Sequence, residues 1–202
     1  MKIGILISGR GSNMAAIVEA VKSGQIPNSE TAIVISDKAE AKGLQKAKER
    51  EIETLVVARK NRTREEHDAE IITELKKRNV ELVCLAGYMR LLSPEFIRAF
   101  PDRILNIHPS LLPAFKGLGA QKQAIEYGVK FSGCTVHFVD ESLDNGAIVA
   151  QAIVEVKDSD TAETLAARIL EREHALYVES IAKIVEGKFE IRGRRVLNRA
   201  LT

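Results

Sequence analysis

The 202-residue sequence is poor in cysteine, and its two cysteines are not arranged for chemistry. Cys84 and Cys134 each lie inside an apolar, strand-like run, and no Cys/His group has metal-ligand spacing. This excludes a disulfide framework and the usual zinc sites, and it reads both thiols as reduced core residues of a cytoplasmic protein. Long apolar runs are also missing. No stretch approaches the roughly 18 apolar residues of a membrane span, so no membrane partner is expected. The start, Met1-Lys2-Ile3-Gly4-Ile5, enters an apolar run at once, but that run is too short for a signal peptide and no cleavage pattern follows. Neither charge is in excess: Lys+Arg number 30 against Asp+Glu 28, for a net +2. That balance gives no electrostatic case for nucleic acid or an anionic membrane, although a small anionic substrate needs only local donors. Repeats, low-complexity tracts and linkers are absent, so residues 1–202 are read as a single domain. With 45% hydrophobic residues it can bury a core.

Along the chain, apolar runs alternate with helical patterns. Residues 2–7, 31–35, 54–57, 80–86 and 104–107 read as strands. Between them, Met14, Ile17, Val18 and Val21 fall at helical spacing, and residues 40–50 turn Leu44 and Ala47 inward. Thr63 with Glu66 forms a capping box for a helix that buries Ile71, Ile72 and Leu75. Ser93-Pro94-Glu95 is a helix start, with a cap followed by Pro at the first helical position. This grammar predicts an α/β fold: an open, mostly parallel, Rossmann-like sheet with helices on both faces. After Pro113 the pattern changes. Gly117, Gly119 and Gly128 flank a short helix, and residues 133–139 and 147–156 read as an antiparallel addition. Asp160 and Glu163 are expected to cap a long helix over residues 161–185, and residues 189–201 have weak strand character.

Open parallel sheets bind ligands at the carboxyl ends of their strands. The first strand ends in Ser8-Gly9-Arg10-Gly11-Ser12-Asn13 and runs straight into a helix. Backbone N–H groups and the helix dipole there suit an anion, with Arg10, Ser12 and Asn13 as further donors. The spacing fits neither the dinucleotide nor the Walker pattern, and an ordinary turn capped by Ser12 or Asn13 is the alternative. The fifth strand ends in Asn106-Ile107-His108-Pro109-Ser110, and strand alternation puts Asn106 and His108 on one side. An amide that donates to an oxyanion beside an imidazole that moves a proton is a catalytic pairing; a loop-bonded histidine is the alternative. Asp140, Glu141 and Asp144 share a turn where carboxylates are ordinarily solvated, but one of them turned back would orient His108. Met89-Arg90-Leu91-Leu92 either lines a flat pocket or packs under the next helix. Glu173 sits on the apolar stripe of Leu165, Ile169 and Leu176, which calls for an arginine partner or a ligand. The other histidines read as structural: His67 on an exposed helix face, His137 in the core, His174 capping or pairing locally.

Taken together, four segments resemble the folate-dependent phosphoribosylglycinamide formyltransferase family. They are Ile7 to Asn13, Leu85-Ala86-Gly87-Tyr88-Met89-Arg90, Asn106-Ile107-His108-Pro109-Ser110-Leu111-Leu112-Pro113, and Val136-His137-Phe138-Val139 running on to Leu143-Asp144-Asn145-Gly146. The resemblance covers nearly the whole chain. It implies a formyltransferase fold and transfer of the formyl group of 10-formyltetrahydrofolate, a co-substrate, to the amine of glycinamide ribonucleotide in purine synthesis. No metal, nucleic acid or membrane is implied, and the enzyme would act as a monomer or homodimer. The family's catalytic Asn, His and Asp fall on Asn106, His108 and Asp144. Its substrate-phosphate loop falls on Gly11, Ser12 and Asn13, and its ribonucleotide-touching carboxylate on Glu173. Its folate contacts fall on Arg64, Met89, Arg90, Leu91, Leu92, Asn106, Asp140 and Glu141.

The sequence departs from the family in the loop after Pro113. Phe115 is followed by Lys116 where Pro-Gly is usual, and Gly119 stands in place of a histidine. Arg10 also occupies a position that is often small. Methionyl-tRNA formyltransferase and formyltetrahydrofolate hydrolase share the Asn/His/Asp core, but each carries a further domain for which this chain has no length. A non-catalytic nucleotide-binding module on the same fold is the rival from another class.

Overall fold

The computed structural model describes residues 1–187 and 189–198. Contacts divide the chain into two compact units, Met1–Asn106 and Ile107–Thr202.

The first unit alternates strand and helix: β1 (Lys2–Ile7), α1 (Ser12–Lys22), β2 (Glu30–Ser36), α2 (Lys42–Lys48), β3 (Thr54–Val56), α3 (Arg64–Lys77), β4 (Leu82–Leu85), α4 (Pro94–Ala99) and β5 (Ile104–His108), whose last two residues pass the boundary. The strands pair in parallel in the order β3-β2-β1-β4-β5. After Lys2, β1 is apolar and buried, and β4 is so throughout, as strands covered on both faces must be. The order reverses between β1 and β4, which opens a crevice at their carboxyl ends.

Capping residues place the helices. Thr63 Oγ1 accepts from Glu66 N at 3.1 Å, and Glu66 Oε2 accepts from Thr63 N at 2.9 Å, completing the expected box. Ser93 Oγ accepts from Phe96 N at 3.2 Å, with Pro94 in the first turn of α4. His67 is a correction: it is fully buried, not on an exposed face. Its Nε2 bonds the Val57 carbonyl at 2.7 Å, while the neighbouring Asp68 accepts from Ser93 N at 2.6 Å. Two adjacent polar residues thus tie α3 to β3's exit and to the start of α4. A helical wheel counts them as polar and therefore outside.

The second unit continues with α5 (Ala120–Tyr127), β6 (Phe131–Phe138), β7 (Ile148–Glu155), α6 (Ala162–Val185), β8 (Phe189–Arg192) and β9 (Arg195–Asn198). β6 and β7 form an antiparallel pair, β9 meets β7 in parallel at Ile148–Arg195, and β8 pairs antiparallel with β9. The weak strand expected over 189–201 is therefore a hairpin, with residues 199–201 outside the described residues. α6 packs on β6 and β7 through Leu165, Ile169, Leu176, Ile181 and Ile184. Its cap is Thr161, boxed with Thr164, rather than Asp160 and Glu163. Asp160 instead takes Arg168 at 2.5 and 2.7 Å, which holds its carboxyl well below the usual range. The elements are those of the open, mostly parallel α/β class with antiparallel C-terminal strands. Both cysteines are buried and free. Among the described residues, no helix is long and apolar enough to cross a membrane.

One close backbone approach fixes the end of β1. Gly11 has φ +66°, and a Cβ there would lie 2.6 Å from Gly43 Cα on α2, where Gly43 N donates to Gly9 O at 2.9 Å. Gly11→Ala should therefore cost about 2 kcal/mol in urea unfolding, from strain and overpacking together. Gly9→Ala, whose Cβ meets nothing within 4 Å, should change stability far less.

Candidate active site

Topology brings the first two candidate segments together. Ser8 N donates to Gly87 O at 3.1 Å, and Ser8 Oγ accepts from Met89 N at 2.9 Å. The loop after β1 and the segment after β4 therefore lie side by side at the reversal of strand order. The helix after the loop starts on Gly11 in the left-handed region, with no side-chain cap. That disposes of Ser12 or Asn13 as a conventional cap. Asn13 is buried, Ser12 half-buried and Arg10 exposed.

The Met89–Leu92 segment is divided between interior and surface. Leu92 is buried, but Met89 and Leu91 are 59% and 57% exposed, large apolar side chains at the ligand end of the sheet. Arg90 Nη1 lies 3.8 Å from Asp37 Oδ2, a carboxylate at the end of β2. Tyr88 is buried, and its phenol is pushed up by burial and then by the Asp68 and Asp37 charges. Arg64 opens α3, half-buried, with Glu65 Oε1 at 3.2 Å.

The second unit brings His108 and Asp144 together. β5 ends on Asn106 and His108, alternate positions that face one side of the strand. Of the three carboxylates between β6 and β7, Asp140 and Glu141 stay exposed, and Asp140 Oδ1 accepts from Ser142 N at 2.9 Å. Asp144 alone turns in, with φ 45° and a side chain 10% exposed. Its Oδ2 lies 3.4 Å from His108 Nδ1 and accepts from Gly117 N at 2.8 Å. The reversal is narrow enough that a Cβ on Gly146 would fall 1.9 Å from Phe138 O.

On the other side of the His108 ring, Nε2 donates to the Phe115 carbonyl at 2.9 Å. Both ring nitrogens thus face acceptors: a neutral ring satisfies one, a doubly protonated ring both. A second imidazole, His137, places Nε2 3.8 Å from Asp144 Oδ1 while its Nδ1 donates to Phe138 O at 2.8 Å. Burial holds its basicity down, against the opposing pull of the Phe138 carbonyl and Asp144. Its contact with Asp144 is therefore that of a neutral ring near a carboxylate, not an ion pair.

Glu173 is buried on α6 as its stripe position requires, close enough to Cys134 to help burial push that thiol up to about 12. His174 is only half-buried, and its Nε2 has no hydrogen-bond partner, so local capping or pairing through that atom is not observed. Among the described residues, no group of three or more His, Cys, Asp and Glu is placed to hold a metal ion.

Sequence reasoning did not find the backbone partners. Phe115 O and Gly117 N hold His108 and Asp144, and no side-chain motif marks a carbonyl or an amide. The signal available was position, because both flank Lys116 in the loop that departs from its relatives. Behind that loop, a cavity of about 340 Å³ is lined by Leu111, Phe115, Tyr127 and Val129, among others, with the Phe115 and Tyr127 rings edge to face at 5.8 Å.

Residues 1–181 match the profile of the formyl transferase family. The chain is 45% identical over 192 residues to phosphoribosylglycinamide formyltransferase of Haemophilus influenzae, covering 95% of this chain and 90% of that protein. It is 46% identical to the trifunctional purine biosynthetic protein adenosine-3 of Chironomus tentans over 92% of its own length, but spans only 14% of that relative. The crystal structure of glycinamide ribonucleotide transformylase 1 from Symbiobacterium toebii superposes with a TM-score of 0.96 at 49% identity, covering 98% of this chain and 93% of that one.

The buried His137 yields a pH expectation. Its folded basicity lies below the ordinary value of 6.5, so between the two values the unfolded chain binds the extra proton. Its contribution to stability is complete above about pH 6.5 and falls as the pH drops through the folded value; His174, also lowered by burial, acts in the same direction. In urea unfolding at pH 7.5 and 5.5, the wild type should lose more stability on acidification than His137→Gln does. Equal losses would remove His137 as a cause.

Proposed function

Because the chain belongs to the formyl transferase family, we propose that it transfers the formyl group of 10-formyltetrahydrofolate to the amine of glycinamide ribonucleotide, a step of de novo purine biosynthesis. The observation that carries the reading is the turned-in Asp144 beside His108 at the end of β5, two residues from Asn106. The buried His67–Asp68 pair shows the same separation in a structural role, so it is the position of His108 and Asp144, beside Asn106 at the carboxyl end of a parallel strand, that favours catalysis. In this reading residues 1–202 act as one formyltransferase domain in the cytoplasm, on small-molecule substrates.

The chemistry follows from the donors. The ribonucleotide amine attacks the formyl carbon, forming a C–N bond and a tetrahedral oxyanion. Asn106 Nδ2–H and His108 Nε2–H stabilise that oxygen, each worth about 3–4 kcal/mol in a water-poor site. The Phe115 carbonyl already accepts the Nε2 proton, so the formyl oxygen takes its place as the loop gives way. Asp144 holds the ring by Nδ1 and stabilises the imidazolium. As the carbon–nitrogen bond to the folate breaks, the proton lost by the amine is relayed to the folate nitrogen with Asp144 assisting.

The binding assignments are those that family membership implies. The substrate phosphate sits on Gly11, Ser12 and Asn13 at the start of α1, where amides and dipole favour an anion. Glu173 meets the ribonucleotide. The folate ring lies on Met89, Leu91 and Leu92, with Arg64, Arg90, Asn106, Asp140 and Glu141 as further contacts. The exposed apolar faces of Met89 and Leu91 support this placement.

The test is consumption of formyl-folate with and without glycinamide ribonucleotide. Acceptor-dependent turnover is expected. Turnover without acceptor would indicate a hydrolase, and none at all a binding module. His108→Ala should lower kcat by about 100- to 1,000-fold, the cost of one oxyanion donor, while leaving the ribonucleotide KM little changed. Near-wild-type kcat in that variant would reject the assignment.

A further inference from the structure

Lys116 and Arg194 converge on a single atom. Lys116 Nζ donates to Asn145 Oδ1 at 2.9 Å, and Arg194 Nη1 donates to the same oxygen at 2.6 Å. An amide oxygen has two lone pairs and can accept both, but it is neutral and cancels neither charge. By contrast, Arg78 meets Glu53 and Glu74, and Arg168 meets Asp160. Among the described residues, no carboxylate lies within ion-pair distance of Lys116 or Arg194. The adjacent Asp144 is engaged by His108 and Gly117 N. Two like charges are thus held beside each other with only a dipole between them.

Such an arrangement is complete when an anion joins it. Lys116 has further ammonium protons, Arg194 has the rest of its guanidinium fork, and Asn145 has its amide N–H groups, all around one point. Lys116 and Asn145 are half-buried and Arg194 is exposed, so the point is open to solvent on one side and backed by protein on the other. We infer that Lys116, Asn145 and Arg194 form an oxyanion-binding site for a small molecule carrying a carboxylate or a phosphate. This site is separate from the loop after β1, which is assigned to the substrate phosphate.

The site is wired to the catalytic centre by the chain itself. The residue before Lys116 gives its carbonyl to His108 Nε2, and the residue after it gives its amide to Asp144. An anion held by Lys116 therefore lies one residue from the backbone partners of both side chains, and its arrival should be registered at His108.

The experiment is an NMR titration of the ¹⁵N,¹³C-labelled full chain with inorganic phosphate and, separately, with glutarate, against sodium chloride at matched ionic strength. The Asn145 side-chain amide, the Gly117 amide and the His108 Cε1 resonance should move with a common, saturating curve. Saturation with phosphate or with glutarate identifies which oxyanion the site takes, and either outcome supports it. Lys116→Met and Arg194→Met should each weaken that binding about tenfold, as expected for loss of a charge-assisted hydrogen bond, and Lys116→Arg should restore most of it. Unchanged spectra elsewhere establish that the variants fold. Shifts that stay linear, that chloride reproduces, that survive in both Met variants, or that appear only at Ser12 and Asn13 would overturn the inference.

Discussion

A carboxylate taken out of water must be met by donors or it will not stay charged there. Asp144 sets this requirement for the second unit. Its side chain is 10% exposed, on a residue in the left-handed region, so the turn between β6 and β7 must both reverse tightly and point inward. The close approach of Gly146 to Phe138 O meets the first demand. The second is met from two directions, His108 from the end of β5 and the Gly117 amide from the loop after Pro113, while the His137 ring of β6 lies alongside without donating. Strand end, loop and hairpin therefore have a common reason for their conformations. The pair proposed as catalytic is also the place where the unit's folding problem is solved.

The first unit answers a different constraint. A parallel sheet whose strand order reverses leaves the carboxyl ends of β1 and β4 open, and backbone groups there need partners. Ser8 supplies them by bonding the Gly87 carbonyl with its amide and the Met89 amide with its hydroxyl. The Gly11–Gly43 approach then sets the start of α1 without a side-chain cap. What the loop presents to a ligand is thus backbone, held in place by packing behind it.

Much of this was legible in the sequence, because the relevant forces are local. Strand periodicity, the Thr63/Glu66 box and the Ser93-Pro94 start appear where the pattern puts them. The inward position of Glu173 and the pairing of His108 with one carboxylate of three also hold. Errors arose where a polar residue is satisfied by a partner distant in sequence. His67 is buried because Val57's carbonyl awaits it, and Asp160 serves Arg168 instead of capping α6. The contacts of Phe115 and Gly117 were invisible for a related reason: every residue has a carbonyl and almost every one an amide, so composition cannot say which will be used. In the sequence Lys116 stands out only as a departure, because its partnership with Arg194 through Asn145 depends on a hairpin 49 residues beyond Asn145.

In the proposed reaction, the Phe115 carbonyl bears on the energetics of turnover. While it accepts from His108 Nε2, the imidazole donor is never left bare in the resting protein, so little free energy is released merely by offering it another neutral carbonyl. A ground-state formyl oxygen exchanges one bond for its equal. Only when that oxygen acquires negative charge does the new bond exceed the one surrendered. Under that proposal the loop would discount attraction for the reactant and leave attraction for the charged intermediate intact, which is the condition under which binding accelerates a reaction rather than merely filling a site.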